Sequence, residues 1–309
     1  MSNGILVIGS VNYDFIYQVE KLPAPHQTIP AQGFTTAPGG KGANQAAAAA
    51  RATDNPVKLL GCVGADIHAD ACLTYLKETG VDLSDMVVAG GHPTGTACIL
   101  VEQSGDNLIV VSAGANAALT KQHLEDAHQA IEASDILLFQ LEVPLPTVMS
   151  GLRMGRRLGK KTILNPAPYI AGVEEMLPFV DVFTPNQPEA EAMTGAKIST
   201  IAEAEAATKV ILQKGANEAI ITLGGEGCFV ATQNLTKHLP AYNVPKVIDT
   251  SGAGDVFNGA LAGALGEGAN LVDAADFASA CAALSVTKPT ASNCAPSRSE
   301  ALAFQQNSV

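Results

Sequence analysis

The sequence predicts an α/β fold in which a mostly parallel central sheet carries helices on both faces. Short apolar runs alternate with helix-like segments along most of the 309 residues, and this alternation is typical of βαβ units. The chain is 47% hydrophobic, so it can bury a large core. Sheets of this kind bind ligands beyond the carboxyl ends of their strands, so functional residues are expected directly after the apolar runs.

Six apolar runs are predicted to form the strands of this sheet, at residues 5–9, 57–64, 135–140, 161–165, 181–186 and 218–224. Four segments between them have a helical pattern, namely NQAAAAARA, ADACLTYLKETG, TKQHLEDAHQAIEAS and IAEAEAATKVILQKG. A further helix, VFNGALAGALG, is predicted after the stretch DTSGAGD. We find no internal repeat or linker, so residues 1–309 are predicted to form a single domain.

Two segments, residues 11–37 and 94–111, interrupt this order. Both alternate apolar with polar residues, and the second contains a predicted hairpin around Ser104, Gly105 and Asp106. We interpret the two segments as a small antiparallel flap inserted into the α/β body. The alternative is an extension of the main sheet at its edge. A flap beside an active site commonly excludes water from it.

Composition excludes several classes of partner. The chain has 18 Lys and Arg against 30 Asp and Glu, a net charge of −12, so no nucleic-acid partner is expected. The six cysteines form no C-x-x-C pair and no zinc-like cluster, which is typical of reduced thiols in the cytoplasm. Neither a signal peptide nor a membrane-spanning run is recognisable, so a cytoplasmic protein without a membrane partner is predicted.

Two glycine-rich stretches precede predicted helices, PGGKGAN at 38–44 and DTSGAGD at 249–255. The first lacks the Ser or Thr that follows Gly-Lys in a Walker A loop, and neither contains G-x-G-x-x-G, which disfavours an NAD-binding enzyme. Helix starts bind anions, and an acid such as Asp14 or Asp255 can take a proton from a hydroxyl. Together these features indicate phosphoryl transfer to an alcohol.

Each of these features also has a purely structural interpretation. Asp255 could cap the helix that follows it or place a charge in its first turn. GGKGAN could be an ordinary helix start with a solvated lysine. The rest of the chain has to decide between these readings.

Eight motifs resemble the ribokinase branch of the PfkB sugar-kinase family in order and spacing. They are GSVNYD (9–14), PGGKGANQA (38–46), GANAALT (114–120), QLEVP (140–144), LNPAP (164–168), TPNQPEAE (184–191), ITLGGEG (221–227) and DTSGAGDVFNGAL (249–261). The resemblance implies a three-layer α/β/α ribokinase-like domain whose lid is formed by segments 11–37 and 94–111. It also implies a kinase that transfers the γ-phosphate of ATP to a sugar hydroxymethyl group, with D-ribose as the expected acceptor and a homodimer formed through the lid.

The resemblance assigns roles to individual residues. Asp255 would be the general base, and the N–H groups of Gly252, Ala253 and Gly254 would form an anion hole. The sugar-binding residues, with Asp255, would be Asn12, Asp14, Gly40, Lys41, Asn44 and Glu142. The ATP-binding residues would be Asn186, Thr222, Gly224, Gly227, Gly254 and Ser279. Glu189 would order Mg²⁺, although it could equally be an ordinary first-turn helix acid. K⁺ as a monovalent activator would bind near Asp249, Ser251, Ser285, Lys288, Thr290 and Cys294.

Departures from the family pattern affect three of these assignments. Glu226 stands where relatives often have a basic residue, which bears on the phosphate contact. Thr290 stands where ribokinases commonly have glycine, which bears on K⁺ dependence. His26 and Gln27 replace a typical Gly-Glu, which bears on the choice of sugar.

The alternative acceptors are deoxyribose, fructose or a nucleoside. The absence of Trp disfavours a nucleoside, because its base calls for an apolar or aromatic platform. A different class is a catalytically silent sugar-binding protein on the same fold. The intact Asp255 and Gly-Ala-Gly sequence argue against that class.

Overall fold

A computed structural model describes residues 4–104, 106–289 and 293–307 of the chain. Its strands are β1 (Gly4–Ile8), β2 (Asn12–Val19), β3 (Gly33–Gly39), β4 (Val57–Leu60), β5 (Cys62–Val63), β6 (Val87–Val88), β7 (Gly95–Glu102), β8 (Asn107–Ser112), β9 (Ser134–Phe139), β10 (Lys161–Leu164), β11 (Val182–Phe183), β12 (Glu218–Thr222), β13 (Cys228–Ala231) and β14 (Thr236–Leu239). Its α-helices are α1 (Lys41–Ala52), α2 (Ile67–Glu78), α3 (Lys121–Asp126), α4 (His128–Ala133), α5 (Leu145–Arg157), α6 (Gln187–Thr194), α7 (Ile201–Gln213), α8 (Ala253–Gly266), α9 (Leu271–Ser285) and α10 (Arg298–Asn307). Short 3₁₀ helices cover Gly114–Ala118, Val173–Phe179 and Gly224–Glu226.

The main sheet has eight strands in the order β14-β13-β12-β11-β10-β9-β1-β4. Pairing is parallel from β4 through to β12, whereas β13 and β14 form an antiparallel edge. Each of the six predicted runs contains a strand of this sheet. The prediction of a mostly parallel central sheet is therefore confirmed.

The two faces of the main sheet carry separate hydrophobic cores, because successive side chains of a strand point to opposite faces. In β1, Ile5 and Val7 belong to the core that includes residues of α1, α2, α8 and α9. Leu6 and Ile8 belong to the other core, with α3 to α7. The molecule thus has the three α/β/α layers that the sequence predicted.

A second, four-stranded sheet has the order β3-β2-β7-β8 and comes from the two segments that were predicted to form a flap. We call it the small sheet. It is separate from the main sheet, so the edge-extension alternative is wrong. The strictly antiparallel arrangement is also wrong, because β2 pairs with β7 in parallel, with Asn12 opposite Gly95. Gly105, in the predicted turn between β7 and β8, lies outside the described residues.

The predicted helices are present, with one difference. The segment TKQHLEDAHQAIEAS is divided into α3 and α4 at Ala127, whose backbone has φ −86° and ψ 15°. Each half buries a large apolar side chain, Leu124 in α3 and Ile131 in α4. Within the described ranges, no helix combines the length and apolar character needed to cross a membrane.

Helices α1 and α8 pack unusually closely. A Cβ on Gly259 of α8 would lie 2.7 Å from the Cβ of Ala48 and 2.8 Å from the backbone N of Ala49, and it would also overlap the carbonyl oxygen of Gln45. Only glycine allows this approach. The first turns of the two helices are therefore held side by side at the carboxyl edge of the main sheet.

Candidate active site

Polar side chains from several elements converge at this carboxyl edge. Asn44, in the first turn of α1, donates to Asp255, in the first turn of α8. Ser10, which follows β1, donates to Glu142, which follows β9. This is the position at which parallel α/β sheets bind ligands.

Asp255 is 8% exposed and is held by two amide side chains. Its Oδ2 accepts from Asn44 Nδ2 at 3.1 Å, and its Oδ1 accepts from Gln45 Nε2 at 2.9 Å. The N-cap residue of α8 is Gly252. Asp255 therefore does not cap α8, but it does place an acidic side chain in the first turn, which was the other part of the structural interpretation.

The start of α8 is open. Gly252 has φ 76° and ψ −3° and provides no side-chain cap. A Cβ on Gly254 would meet no atom of the described residues within 4 Å. The first turn, which begins at Ala253, can therefore present backbone N–H groups and the positive end of the helix dipole to an anion.

The Glu142 side chain is hydrogen-bonded to the first residue of α1. Its Oε2 accepts from Lys41 N at 3.0 Å and from Ser10 Oγ at 2.6 Å. Gly40 precedes α1 with φ 89°, and a Cβ there would lie 2.7 Å from the backbone N of Asn12. Glycine is thus required for the chain to turn from β3 into α1 beside β2.

Asn12 and Asp14 lie two residues apart on β2 and share one face of the small sheet. Asn12 Oδ1 accepts from Asn116 Nδ2 at 2.8 Å. Asp14 Oδ1 is buried, and among the described residues it has no hydrogen-bond partner. Burial, followed by the charges of Glu142 and Asp255, raises the pKa of Asp14 to about 7. A buried carboxylate with an unused oxygen is well suited to accept hydroxyl donors from a ligand.

The pKa of Lys41 is influenced by four acidic side chains. The charge of Asp255 is the largest influence and raises the pKa of Lys41; desolvation opposes it, and Glu142, Glu189 and Asp14 raise the pKa further. The charges of four carboxyl groups therefore act on the same cation. The structure brings all five predicted residues together at one site.

The residues predicted to bind nucleotide lie farther along the same edge. Asn186 and Glu189 form a reciprocal capping box at the start of α6, in which each side chain accepts from the other residue's backbone N at 2.9 Å. Asn186 also forms a parallel bridge with Thr222. Gly224 and Gly227 follow β12 with φ 58° and 90°.

The two interpretations of Glu189 are compatible in this geometry. Its Oε2 caps α6, which is the structural role. Burial is the main influence and raises the pKa of Glu189, while the hydrogen bond from Asn186 and the charge of Lys41 lower it. The carboxyl group is thus electrostatically linked to the same cluster of charges.

Ser279 lies within α9, next to β13. Its hydroxyl donates to Ala275 O at 2.8 Å within α9, and Cys228 Sγ on β13 lies 3.6 Å away. The side chain is 9% exposed. A contact from Ser279 to adenine stays a prediction.

Two segments that carry predicted K⁺ residues are hydrogen-bonded to each other. Asp249 Oδ1 accepts from Ser251 N at 2.8 Å, and Asp249 N donates to Val286 O at 3.2 Å. Lys288 N donates to Ser285 O at 3.0 Å. The loop before α8 and the loop after α9 therefore lie side by side, as the predicted cation site requires.

Cys294 belongs to the same region. Burial chiefly raises the pKa of its thiol to about 11, and the charges of Asp255, Asp249 and Lys288 also act on it. Thr290, the remaining predicted K⁺ residue, lies outside the described residues.

Three residues of the site received no role from the sequence. Ser10 donates to Glu142, Asn116 orients Asn12 and Gln45 donates to Asp255. All three lie within the motifs GSVNYD, GANAALT and PGGKGANQA, so the signal was present. Their roles depend on hydrogen bonds between residues about 100 or more positions apart, which a single sequence does not reveal.

The fold and the site together define a class of protein. An open helix start that can bind an anion adjoins an oriented carboxylate and a cluster of polar side chains, and this arrangement suits a phosphotransferase acting on a polyhydroxylated acceptor. Residues 2–298 match the model of the pfkB family of carbohydrate kinases. The chain belongs to this family and is an ATP-dependent carbohydrate kinase.

Similar proteins support the assignment to this family. A ribokinase of Haemophilus influenzae is 36% identical over 307 residues, which cover 99% of this chain and 100% of the relative. A deoxyribokinase of Salmonella typhi is 35% identical over 259 residues, which cover 84% of each chain. The structure of Arabidopsis thaliana ribokinase complexed with ribose and ATP has a TM-score of 0.90 and 29% identity, and the match covers 98% of this chain and 99% of that one.

Proposed function

We propose that the protein transfers the γ-phosphoryl group of ATP to the hydroxymethyl oxygen of D-ribose, giving D-ribose 5-phosphate and ADP. The observation that carries the proposal is the position of Asp255. Its carboxylate lies next to the open start of α8 and accepts from Asn44, and its charge is the largest influence on the pKa of Lys41, which begins α1. The similarity to ribokinases over nearly the whole chain supports ribose as the acceptor.

The acceptor pocket would be formed by four side chains with oxygens that can accept from sugar hydroxyls, by one ammonium group that can donate to them and by one glycine. These are Asn12, Asp14, Gly40, Lys41, Asn44 and Glu142. In the reaction Asp255 takes the proton of the sugar hydroxymethyl group as its oxygen attacks the γ-phosphorus. The bond from that phosphorus to the bridging oxygen breaks, and ADP leaves. The N–H groups of Gly252, Ala253 and Gly254 would stabilise the transferring group.

On the nucleotide side, Asn186, Thr222, Gly224, Gly227 and Ser279 would bind ATP. In the part of the chain that the structure describes, no three His, Cys, Asp or Glu side chains form a set that could hold a metal ion by themselves. Mg²⁺ commonly binds through one or two carboxylates, waters and substrate phosphates, and Glu189 suits that mode. When bound, Mg²⁺ would offset the charge of the phosphates.

A K⁺ site is proposed between the loops before α8 and after α9. The hydrogen bond from Asp249 to Val286 supports it, because it holds two of the contributing segments together. Activity measured in K⁺ against Na⁺ at equal ionic strength tests this site. Equal rates in both salts would contradict the proposed K⁺ site.

We also propose that the chain acts as one kinase domain whose small sheet is a lid, and that two chains form a homodimer through that lid. The support is the edge strand β8, where the consecutive residues Leu108, Ile109, Val110 and Val111 are all exposed. Exposed apolar edge strands are templates for pairing with another chain. A cytoplasmic location stays a prediction from the cysteine pattern.

Deoxyribose is the second candidate acceptor, and the 35% identity to a deoxyribokinase favours it over fructose or a nucleoside. The unpartnered Asp14 Oδ1 argues for a fully hydroxylated sugar. A site built to bind a hydroxyl rejects the analogue that lacks it, because a buried polar group is then left unpaired.

The test is an ATP-consumption assay with Mg²⁺ over D-ribose, deoxyribose, fructose, other hexoses and nucleosides. We expect D-ribose to have the highest kcat/KM and the product to be phosphorylated at its terminal hydroxymethyl oxygen. Efficient use of another acceptor with no turnover of ribose would overturn the ribose assignment but not the family. Absence of turnover with every acceptor would favour the silent sugar-binding protein.

A further inference from the structure

A chain of buried amide side chains runs along the carboxyl edge of the main sheet behind Asp255. Gln140 and Asn165 are the residues directly after β9 and β10. Gln140 Nε2 donates to Gln45 Oε1 at 2.6 Å. Gln45 Nε2 donates to Asn165 Oδ1 at 3.1 Å and to Asp255 Oδ1 at 2.9 Å. Gln45 is thus the point at which this chain meets the carboxylate.

The same series of hydrogen bonds also reaches α8 through Asn165. Asn165 Nδ2 donates to the backbone O of Thr184, the residue directly after β11, at 2.9 Å. Thr184 Oγ1 donates to Asn258 Oδ1 at 2.5 Å, and Asn258 Nδ2 donates to Gly254 O at 2.9 Å. One network therefore connects the Asp255 carboxylate with the helix turn at the anion-binding start of α8.

Gln45 and Asn44 hold Asp255 in different ways. Gln45 is 0% exposed, and its oxygen and both its N–H bonds are used, so turning its amide would leave buried polar groups unpaired. Asn44 has a buried Oδ1 without a hydrogen-bond partner among the described residues. Asn44 can therefore change partners when a ligand arrives, whereas Gln45 cannot.

We propose that Gln45 is a positioning residue that anchors Oδ1 of Asp255, so that Oδ2 is the oxygen presented to the sugar hydroxyl. The inference rests on the proposed function, in which Asp255 is the base. The network contains only amides, a hydroxyl and backbone groups, so it carries no proton away from Asp255. Its effect is to hold one carboxylate oxygen in place, and an orientation error of about 1 Å at such a group can cost about 100-fold in rate.

The test is Gln45→Met, which keeps the volume of the side chain and removes its hydrogen bonds. We expect kcat to fall about 10- to 100-fold, as for the loss of a hydrogen bond to a charged group. The KM values for ribose and ATP should stay within about twofold, because Gln45 is 0% exposed and offers no surface to either ligand. Thr208→Val is the matched control: Thr208 is equally buried, bonds only within α7 to Glu205 O, and should leave kcat unchanged.

Two further variants show whether Gln45 acts through Asp255. In an Asp255→Asn background, with the residual rate followed by radiolabelled ATP, Gln45→Met should cost less than about threefold, because groups that act as a unit are not additive. Gln140→Met removes the donor to Gln45 and leaves both donors to Asp255. It should lower kcat less than Gln45→Met does and leave both KM values unchanged. If Gln45→Met does not fold, Gln140→Met is used as the test of the proposal.

Full kcat in Gln45→Met overturns the proposal. The proposal is also overturned if Gln45→Met lowers the rate by the same factor in the wild-type and Asp255→Asn backgrounds. A rise in either KM that matches the fall in kcat would overturn it as well. Failure of the proposed function looks different. In that case Asp255→Asn alone retains more than about a tenth of the wild-type kcat.

Discussion

Asp14 is the residue whose ionisation should control acceptor binding. Burial and the charges of Glu142 and Asp255 raise its pKa to about 7, against the charge of Lys41, which lowers it. A sugar hydroxyl donates best to the ionised form, so binding must release a proton below this pH. We expect the affinity for ribose to be constant above pH 7 and to fall up to about tenfold per pH unit below it. Calorimetry from pH 5.5 to 8.5 measures this.

Asp14→Asn provides the control. It should bind ribose roughly 10- to 100-fold more weakly than the wild type at pH 8, with little change for ATP, and its affinity should not vary with pH. The raised pKa also affects the ligand-free protein, since the stability that neutral Asp14 contributes is lost as the pH rises through about 7. The Tm of Asp14→Asn relative to the wild type should therefore increase from pH 6 to pH 8. Equal loss of ribose and ATP binding would identify Asp14 as a structural residue.

For Asp255 the prediction separates chemistry from stability. Asp255→Asn nearly preserves shape, and a general base contributes about 10²–10⁴-fold to the rate. We expect kcat to fall by that factor while the affinity for ribose and the Tm change little. Steady-state kinetics and thermal unfolding of the same preparation measure both quantities.

The opposite pattern would contradict the base role. A loss of stability on the order of 1 kcal/mol with more than about a tenth of the wild-type kcat would identify Asp255 as a structural residue whose charge stabilises the first turn of α8.

At the scale of elements, the contact between α1 and α8 holds the site together. Gly259→Ala would place a methyl group 2.7 Å from Ala48 Cβ and 2.8 Å from Ala49 N. Because α1 carries Asn44 and Gln45, forcing the helices apart should displace both donors from Asp255. We expect a loss of about 1–3 kcal/mol in unfolding free energy, together with a lower kcat.

Gly266→Ala is a matched control on the same helix. A Cβ at Gly266 would have its nearest neighbour at 3.4 Å, an ordinary van der Waals distance, and alanine has the higher helix propensity. Denaturant unfolding and kinetics of both variants are the measurement. If Gly259→Ala is as stable and active as Gly266→Ala, the close approach of the helices is not required.

The sequence predicts individual elements better than their relations. All six apolar runs contain strands, because parallel strands buried on both faces are nearly continuous apolar runs. The direction of β2 against β7 could not be predicted, since the two strands are far apart in the chain and neither segment encodes the other's direction. The break between α3 and α4 at Ala127 was also missed, because Leu124 and Ile131 keep a seven-residue spacing that suits one continuous helix.

In the candidate site, too, the sequence indicated individual residues better than the contacts between them. Asp255, Lys41 and Glu142 lie in recognisable motifs, and the structure brings them together. Gln45 acts through a buried hydrogen bond to a residue 210 positions away, and Ser10 acts through a partly buried one to a residue 132 positions away. Such pairings depend on how the elements pack, so local pattern alone did not indicate them.

At the scale of the whole molecule, the exposed apolar strand β8 predicts the oligomeric state. Val110 is 61% exposed at the unpaired edge of the small sheet. A charged residue on an edge strand opposes pairing with another chain. We expect the wild type to be a dimer and Val110→Lys to shift it towards the monomer, as measured by light scattering during gel filtration.

Leu235→Lys is the control for this substitution. Leu235 is also an exposed large apolar residue, but it lies between β13 and β14, away from the small sheet. Its substitution should leave the mass unchanged. A monomeric wild type, or a Val110→Lys variant that stays dimeric, would exclude the lid as the interface.

Only Gly40 separates β3, an edge strand of the small sheet, from α1. The first turn of α1 donates a hydrogen bond to Asp255. The strand that pairs with β2, where the sugar is proposed to bind, and the helix that orients the proposed base are therefore nearly one continuous piece of backbone. This has a consequence for changing the acceptor by directed evolution. Substitutions that move β3 should alter turnover together with selectivity, whereas β7 and β8 join the main body elsewhere. Selectivity should therefore diversify more readily through β7 and β8.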